Sequence, residues 1–289
     1  MNILVTGERG QLGSELKDLA SKYSQHTFFF EGSKTLDITD AHLVESYIST
    51  NNINSVINCA AYTAVDMAET NGEKAESINV YGVENLITAL SKNQGKLIHI
   101  STDYVFKGEN FIPYTETQKV DPIGVYGKTK RDGEELVLNS NLESVIIRTS
   151  WLYSSYGANF VKTMLRLGRD KSELGVIFDQ VGTPTFARDL AKVCLEILSV
   201  KNKRIDHSGK MYHFSNEGVA SWYDFSKAIM EFAELDCYIK PIETIDYPTP
   251  AKRPYYSILN KSKIKSDFNL VIPYWRDSLK ECINDLKNK

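Results

Sequence analysis

Asn2-Ile3-Leu4-Val5-Thr6-Gly7-Glu8-Arg9-Gly10-Gln11-Leu12-Gly13 passes from a short apolar run into three glycines spaced G-x-x-G-x-x-G. Leu12, Leu16, Leu19, Ala20 and Tyr23 then recur at helical spacing, so the glycines join a strand to a helix. Such a turn gathers backbone N–H groups and the positive end of a helix at one point, with no Cβ to hold a pyrophosphate away. Gly7, Gly10 and Gly13 are therefore candidate dinucleotide contacts. The spacing differs from the G-x-G-x-x-G of the commonest dinucleotide fingerprint, and a strand-to-helix turn can carry glycines without any ligand. By itself the turn indicates a nucleotide and leaves the chemistry open.

Outward from this turn, strand and helix signals alternate. Thr27–Phe30 is a run of β-favouring residues, and Leu43, Val44, Tyr47 and Ile48 mark an amphipathic helix. Ser55–Ala61 reads as a buried strand, followed by Ile78, Tyr81, Leu86, Ile87 and Leu90 on one face of a long helix. Lys96–Ser101 and Ser144–Thr149 are two further strands. Strands apolar on both faces and separated by helices predict an α/β fold, a doubly wound parallel sheet of the Rossmann type. After residue 150 the rhythm changes, with Trp151, Tyr153, Pro184, Pro241, Pro248, Pro250 and Pro254 as punctuation. Two helices, Arg188–Ser199 and Ser221–Leu235, and a strand-like Lys210–Phe214 stand out there. The expected organisation is a dinucleotide-binding domain over 1–150 and a smaller, mainly substrate-binding lobe over 151–289. The chain is expected to return to the first domain in about 186–216.

Charge excludes several classes of partner. With 34 Lys+Arg against 37 Asp+Glu, the formal net charge of −3 provides no electrostatic footprint for nucleic acid or an anionic membrane. No run approaches the roughly 20 apolar residues of a membrane helix. The first apolar run is strand-sized and has no signal-peptide pattern. Cys59, Cys194, Cys237 and Cys282 make no C-x-x-C pair, so reduced thiols in a cytoplasmic protein are expected.

The chemistry is carried by a second motif. Tyr126-Gly127-Lys128-Thr129-Lys130 opens a helix that continues through Leu136. Residues four apart share a face, which places the Tyr126 hydroxyl and the Lys130 ammonium in one site. A phenol of ordinary pKa, about 10, is a poor acid at neutral pH; a nearby cation lowers it toward useful proton transfer. Ser101-Thr102-Asp103 ends the strand that starts at Lys96, on the edge where doubly wound sheets bind ligands. There the Thr102 hydroxyl can hydrogen-bond the carbonyl oxygen that Tyr126 protonates. Tyr-x-x-x-Lys alone recurs on many surface helices; its coincidence with a glycine turn and a strand-end hydroxyl is the stronger signal. Past the second strand, Glu31 or Asp37 is placed to receive adenosine ribose hydroxyls, whereas Arg9 and Lys34 suit a 2′-phosphate. NADPH and NADH both stay open.

Longer runs carry a resemblance: TGERGQLG (6–13), LDITD (36–40), NCAAYTAVDMAE (58–69), STDYVFKG (101–108), YGKTK (126–130), RTSWLY (148–153) and YPTPAKRP (247–254). Through them the chain resembles the extended short-chain dehydrogenase/reductase family and, more narrowly, the dTDP-4-dehydrorhamnose reductases. The resemblance implies NAD(P)H-dependent reduction of the C4 keto group of a dTDP-4-keto-6-deoxysugar, giving dTDP-L-rhamnose for cell-surface polysaccharide. It implies that Gly10, Gln11 and Leu12 contact the coenzyme pyrophosphate, that Asp37 and Ile38 lie near the adenine and its ribose, and that Ala61, Tyr62 and Thr63 line the coenzyme at the end of the fourth strand. Thr102, Tyr126 and Lys130 would be the catalytic triad, with Tyr126 the proton donor and Lys130 also on the nicotinamide ribose. Thr102, Asp103, Tyr104 and Trp151 would face the deoxysugar, and Arg253 the phosphates or sugar of the nucleotide. Some members hold a magnesium ion between subunits with acidic side chains. Glu15 stands at the first such position, but Arg188 falls where a second acid belongs, so no metal is expected, and the choice between monomer and homodimer is open.

Two other readings compete. A 4-epimerase or 4,6-dehydratase of the same superfamily keeps its NAD through the cycle, and a dehydratase wants a Thr-Asp-Glu run where this chain has Thr102-Asp103-Tyr104. A non-catalytic dinucleotide-binding regulator is weakened by the presence of Thr102, Tyr126 and Lys130 together.

Overall fold

A computed structural model of the protein describes residues 1–199 and 210–288, so the 200–209 part of the expected return segment lies outside the described residues. Strands β1 (Asn2–Thr6), β2 (Thr27–Glu31), β3 (Ser55–Asn58), β4 (Lys96–Thr102), β5 (Glu143–Thr149) and β6 (Lys210–His213) form one sheet in the order β6-β5-β4-β3-β1-β2. Every neighbouring pair is parallel. The helices α1 (Gln11–Leu19), α2 (Ala41–Thr50), α3 (Gly82–Ser91), α4 (Val125–Asn139) and α6 (Ala187–Ser199) frame it, while α5 (Phe160–Asp170), α7 (Trp222–Ala233) and α8 (Trp275–Lys287) pack apart from it.

The period of two along each strand divides its apolar side chains between two cores. Ile3, Val5, Ile57, Ile98, Val145 and Ile147 pack with Leu12 and Leu16 of α1 and Leu190, Cys194 and Ile197 of α6. Leu4, Val56, Leu97 and Ile146 face the other way, against Val44 and Ile48 of α2, Val83, Leu86 and Leu90 of α3 and Val137 of α4. Helices on both faces make the sheet doubly wound, with each buried aliphatic side chain stabilising it by about 1.5–3 kcal/mol relative to exposure.

The strand order reverses beside β1, with β2 on one side of it and β3 on the other. That reversal opens a crevice at the carboxyl ends of β1 and β3. The strand expected over 55–61 ends at Asn58 because the chain beyond it runs directly beneath the glycine turn. A Cβ on Gly7, which has φ +68°, would lie 2.9 Å from Ala60 N and from the Cys59 carbonyl. The strand is also the third in the chain, not the fourth. The long helix expected before β4 is interrupted by a π turn over Ser77–Tyr81.

A third core unites α5, α7 and α8 around Phe186, Phe225, Ile229, Trp275 and Leu279, beside the parallel pair Glu173–Ile177 and Tyr238–Ile242. The helix expected over 221–235 starts at Trp222, under a reciprocal Ser221–Asp224 capping box, and stops where Glu234 turns left-handed at φ 57°. Among the described residues no helix is long and apolar enough to cross a membrane.

Candidate active site

Gly10 caps α1 with extended backbone and no side-chain hydrogen bond. The first N–H groups of the helix therefore open on the crevice. Gly13 must lack a side chain, since a Cβ there would lie 2.4 Å from the Gly7 carbonyl oxygen and 2.8 Å from Glu8 Cα. A Cβ on Gly10 would meet only the Gly7 oxygen, at 3.1 Å, and otherwise enter open space. Beside it Gln11 donates through Nε2 to the Leu152 carbonyl at 3.3 Å, while its buried Oε1 has no partner. Bare helix N–H groups, a cradle that a side chain would fill and an orphaned amide oxygen together fit a dinucleotide. Gly10→Val should weaken NADPH binding by at least about tenfold, a loss of about 1.4 kcal/mol, with the melting temperature of the ligand-free protein nearly unchanged. Fluorescence titration checks this, and undiminished affinity would remove the turn from phosphate binding.

One cleft of about 1160 Å³ collects most of the residues read from the sequence. Gly7, Gly10, Gln11, Leu12, Gly13, Asp37, Ile38, Ala61, Thr63, Thr102, Asp103, Tyr104, Tyr126, Lys130 and Trp151 all line it. Two do not. Tyr62 is held beside the cleft by its backbone, whose N–H donates to Asn79 Oδ1 at 2.9 Å and whose carbonyl accepts from Asn79 Nδ2 at 3.2 Å. Arg253 pairs with Asp66 through Nη1–Oδ1 (2.9 Å) and Nη2–Oδ2 (2.7 Å), and also donates to Thr249 Oγ1 and the Ala251 carbonyl. Its charge nevertheless reaches the Tyr104 phenol.

At the centre of the cleft, β4 ends in Thr102, whose hydroxyl donates to Asp103 Oδ1 at 3.0 Å and accepts from Tyr104 N–H at 3.2 Å. The Tyr126 ring meets Tyr104 edge-on at 5.5 Å, and Thr102 counters the rise of its phenol pKa. The buried Lys130 Nζ donates to the Ile100 carbonyl at 2.7 Å and lies 3.3 Å from His99 Nε2. Burial pulls the Lys130 pKa down to about 8, against the charge of Glu134. Burial also pushes the Tyr126 phenol above its ordinary range, and Asp103 adds to the rise. The expected acidification of Tyr126 by Lys130 is thus corrected: in this arrangement desolvation dominates the phenol, and the lysine is engaged with β4. Asp103 itself is raised to about 6 by burial.

The two acids expected near the adenosine ribose are both committed. Tyr47 O–H donates to Glu31 Oε1 at 2.6 Å, and Asp37 Oδ1 accepts from Thr39 N–H and Oγ1 at 2.9 and 2.8 Å. Arg9 and Lys34 line the cleft. Trp151, at φ 50°, stacks on Trp222 at the start of α7 with ring centroids 3.5 Å apart and planes 7° apart, so it joins the cleft wall to that helix. Glu15 is fully buried and paired with Arg188 at 2.9 Å; the same guanidinium reaches Glu281 at 3.2 Å and Asp285 at 2.6 Å.

Two residues of the site were not singled out by the sequence. Asn79, inside the π turn, ties the Tyr62 backbone to Thr129 Oγ1 of α4 at 3.0 Å, joining the loop after β3 to the Tyr126–Lys130 helix. A π turn shifts side chains off the 3.6-residue register, so periodicity could not place it. His99 is a polar residue in the middle of an otherwise apolar strand, and that mismatch was the available signal.

A parallel sheet with a glycine turn at its switch point, facing a tyrosine and a lysine one helical turn apart, defines the Rossmann-fold oxidoreductases of the extended short-chain dehydrogenase/reductase class. The family described as RmlD substrate binding domain matches residues 1–288, and the chain belongs to it. A dTDP-4-dehydrorhamnose reductase of Aggregatibacter actinomycetemcomitans is 41% identical over 286 residues, 96% of this chain and 97% of that one. The crystal structure of a dTDP-4-dehydrorhamnose reductase from Clostridium acetobutylicum superposes with a TM-score of 0.92 at 41% identity, covering 99% of this chain and all of that one. Another, from Bacillus anthracis in complex with NADP, has a TM-score of 0.92 at 35% identity over 98% and 99% of the two chains.

Proposed function

We propose that the protein reduces the C4 keto group of dTDP-4-dehydro-L-rhamnose with NADPH or NADH, giving dTDP-L-rhamnose. The observation that carries this reading is the meeting of Thr102, Tyr126 and Lys130 with the glycine turn in one cleft. Gly7, Gly10, Gln11, Leu12 and Gly13 hold the coenzyme pyrophosphate, Asp37 and Ile38 its adenosine end, and Ala61, Tyr62 and Thr63 its middle. A bound reduced nicotinamide supplies a hydride to the carbonyl carbon. Negative charge then grows on the carbonyl oxygen, and Tyr126 gives that oxygen its phenolic proton. Thr102 turns its hydroxyl from Asp103 Oδ1 to donate a hydrogen bond to the same oxygen, and the Lys130 ammonium stabilises the phenolate that Tyr126 becomes. The raised phenol pKa keeps Tyr126 protonated until the oxygen turns basic. Asp103, Tyr104 and Trp151 face the deoxysugar. A cytoplasmic location, and a monomer or homodimer without nucleic-acid or membrane partners, belong to the same proposal.

A coupled assay with dTDP-4-dehydro-L-rhamnose, following the absorbance of NADPH and NADH in parallel, tests the reading. Tight dinucleotide binding without turnover would favour a regulatory protein instead. Arg253 tests the substrate subsite. Its guanidinium is already oriented by Asp66, and a diphosphate is a stronger partner for that fork. Arg253→Ala should raise KM for the dTDP-sugar by about tenfold or more, the worth of a charge-assisted hydrogen bond, and leave coenzyme affinity alone. A fall in coenzyme affinity with an unmoved KM would place Arg253 in the other subsite.

A further inference from the structure

Behind Lys130 a line of buried polar groups crosses three strands of the sheet, and its side chains Thr6, Asn58 and His99 stand behind the cleft wall. The Ala60 N–H donates to Thr6 Oγ1 at 3.2 Å. Thr6 O–H donates to Asn58 Oδ1 at 2.7 Å, and Asn58 Nδ2 lies 3.2 Å from His99 Nδ1. His99 Nε2 lies 3.3 Å from Lys130 Nζ. Thr6, Asn58, His99 and Lys130 are all almost wholly buried, so each proton has to be assigned within the line.

The assignment runs one way. A backbone N–H can only donate, so Ala60 occupies an acceptor site of the Thr6 hydroxyl, and the hydroxyl donates onward to Asn58 Oδ1. With its oxygen taken, the Asn58 amide presents Nδ2, which also can only donate, and His99 Nδ1 must accept. Burial keeps His99 neutral. Its one ring proton is therefore on Nε2, aimed at Lys130 Nζ. An N–H so aimed is met by the lone pair of an amine and repelled by an ammonium.

We propose that Thr6, Asn58 and His99 form a one-way hydrogen-bond chain that biases Lys130 toward its neutral form, which makes them positioning residues for the proton step at Tyr126. The proposal rests on the reduction described above and adds to it the element that sets where Lys130 loses its proton. Other groups act on that lysine as well: Glu134 on its own helix, held by Arg148 of β5, and the Ile100 carbonyl of β4 favour the ammonium, while Cys59 beyond β3 stays a neutral thiol because burial pushes its pKa well up. Asp103, at the end of β4, acts on the phenol instead.

For Lys130 to be an ammonium with a satisfied neighbour, His99 must move its proton to Nδ1 and Asn58 must turn its amide over. Thr6 resists this, because its hydroxyl would lose the acceptor Oδ1. Thr6→Val keeps the shape and removes that resistance. The pKa of Lys130 should then rise by about half to one unit, the net worth of one hydrogen bond. Thr6→Ser, which keeps the hydroxyl, should leave it in place. Two readouts apply to each protein: the alkaline limb of kcat against pH at saturating NADPH, and the ¹³Cε-lysine NMR titration of the ligand-free enzyme, with Lys130 assigned by its loss in Lys130→Met. An upward shift in Thr6→Val and none in Thr6→Ser is the expected result. Unmoved midpoints in both, or equal shifts in both, overturn the proposal. If Thr6→Val does not fold, Asn58→Asp replaces it, since a carboxylate accepts from both Thr6 and a His99 Nδ1–H; a downward or absent shift there overturns it too. The NMR titration needs no turnover, so a failure of the reduction reading would appear in the assay alone.

Discussion

Tyr126→Phe lowers kcat by about a hundredfold to ten-thousandfold, the usual worth of a positioned general acid. The substitution keeps the ring, and with it the edge-on packing against Tyr104 at 5.5 Å, and removes only the hydroxyl near Thr102. NADPH affinity should barely move, because the glycine turn and Lys130 are untouched. Lys130→Ala should injure both, since in the proposed mechanism the ammonium serves the phenol and the coenzyme side of the cleft together. Steady-state kinetics with a parallel coenzyme titration separate the two variants. Near-normal turnover by Tyr126→Phe would remove the phenol from the mechanism.

Arg148→Met destabilises the fold by about 3–5 kcal/mol, the cost of leaving a buried charge without its partner. Arg148 on β5 grips Glu134 of α4 with two parallel bonds, Nε–Oε1 at 2.8 Å and Nη2–Oε2 at 2.6 Å, and its guanidinium lies 5.0 Å from the centre of the Phe106 ring. Both side chains of the pair are almost wholly buried. Removing the arginine strands a carboxylate one helical turn beyond Lys130. The double variant Arg148→Met/Glu134→Leu should recover much of the loss, because a buried ion pair exchanged whole for apolar groups is often neutral. Urea denaturation of both variants checks this. An unchanged midpoint in Arg148→Met would show that the pair does not anchor α4.

Much of this architecture was legible because local chemistry and global fold agree in it. Strands such as Ser144–Thr149, apolar on both faces, can only be sandwiched between helices, and they are. The glycine turn and the Tyr126–Lys130 pair depend on spacing within one element, which sequence preserves. What spacing could not supply is the environment that each group meets. Four residues along a helix put the phenol and the ammonium on one face, but burial, not their mutual field, decides the phenol, and Lys130 turns to the Ile100 carbonyl and His99. The choice between Glu31 and Asp37 for the ribose was equally beyond reach. Tyr47 engages one and Thr39 the other, and the first of these contacts joins separate elements of the fold. Arg188 could be read as standing where an acid was expected. That it supplies a positive charge to three carboxylates of α1 and α8 needed the fold to show which ends of the chain meet.

The indole of Trp151 lies against the α-carbon of Gly182, where an added Cβ would come within 2.7 Å of the ring, and the same ring is stacked on Trp222. Bulk at position 182 and a full indole at position 151 are thus mutually exclusive. The face-to-face stack on Trp222 gives the ring little freedom to swing aside. The two sites can change only in step: a larger residue at 182 becomes tolerable once 151 carries a smaller ring, and each change alone is harmful. A library randomised at both positions and selected for turnover should therefore return complementary pairs, with the volume gained at one site lost at the other.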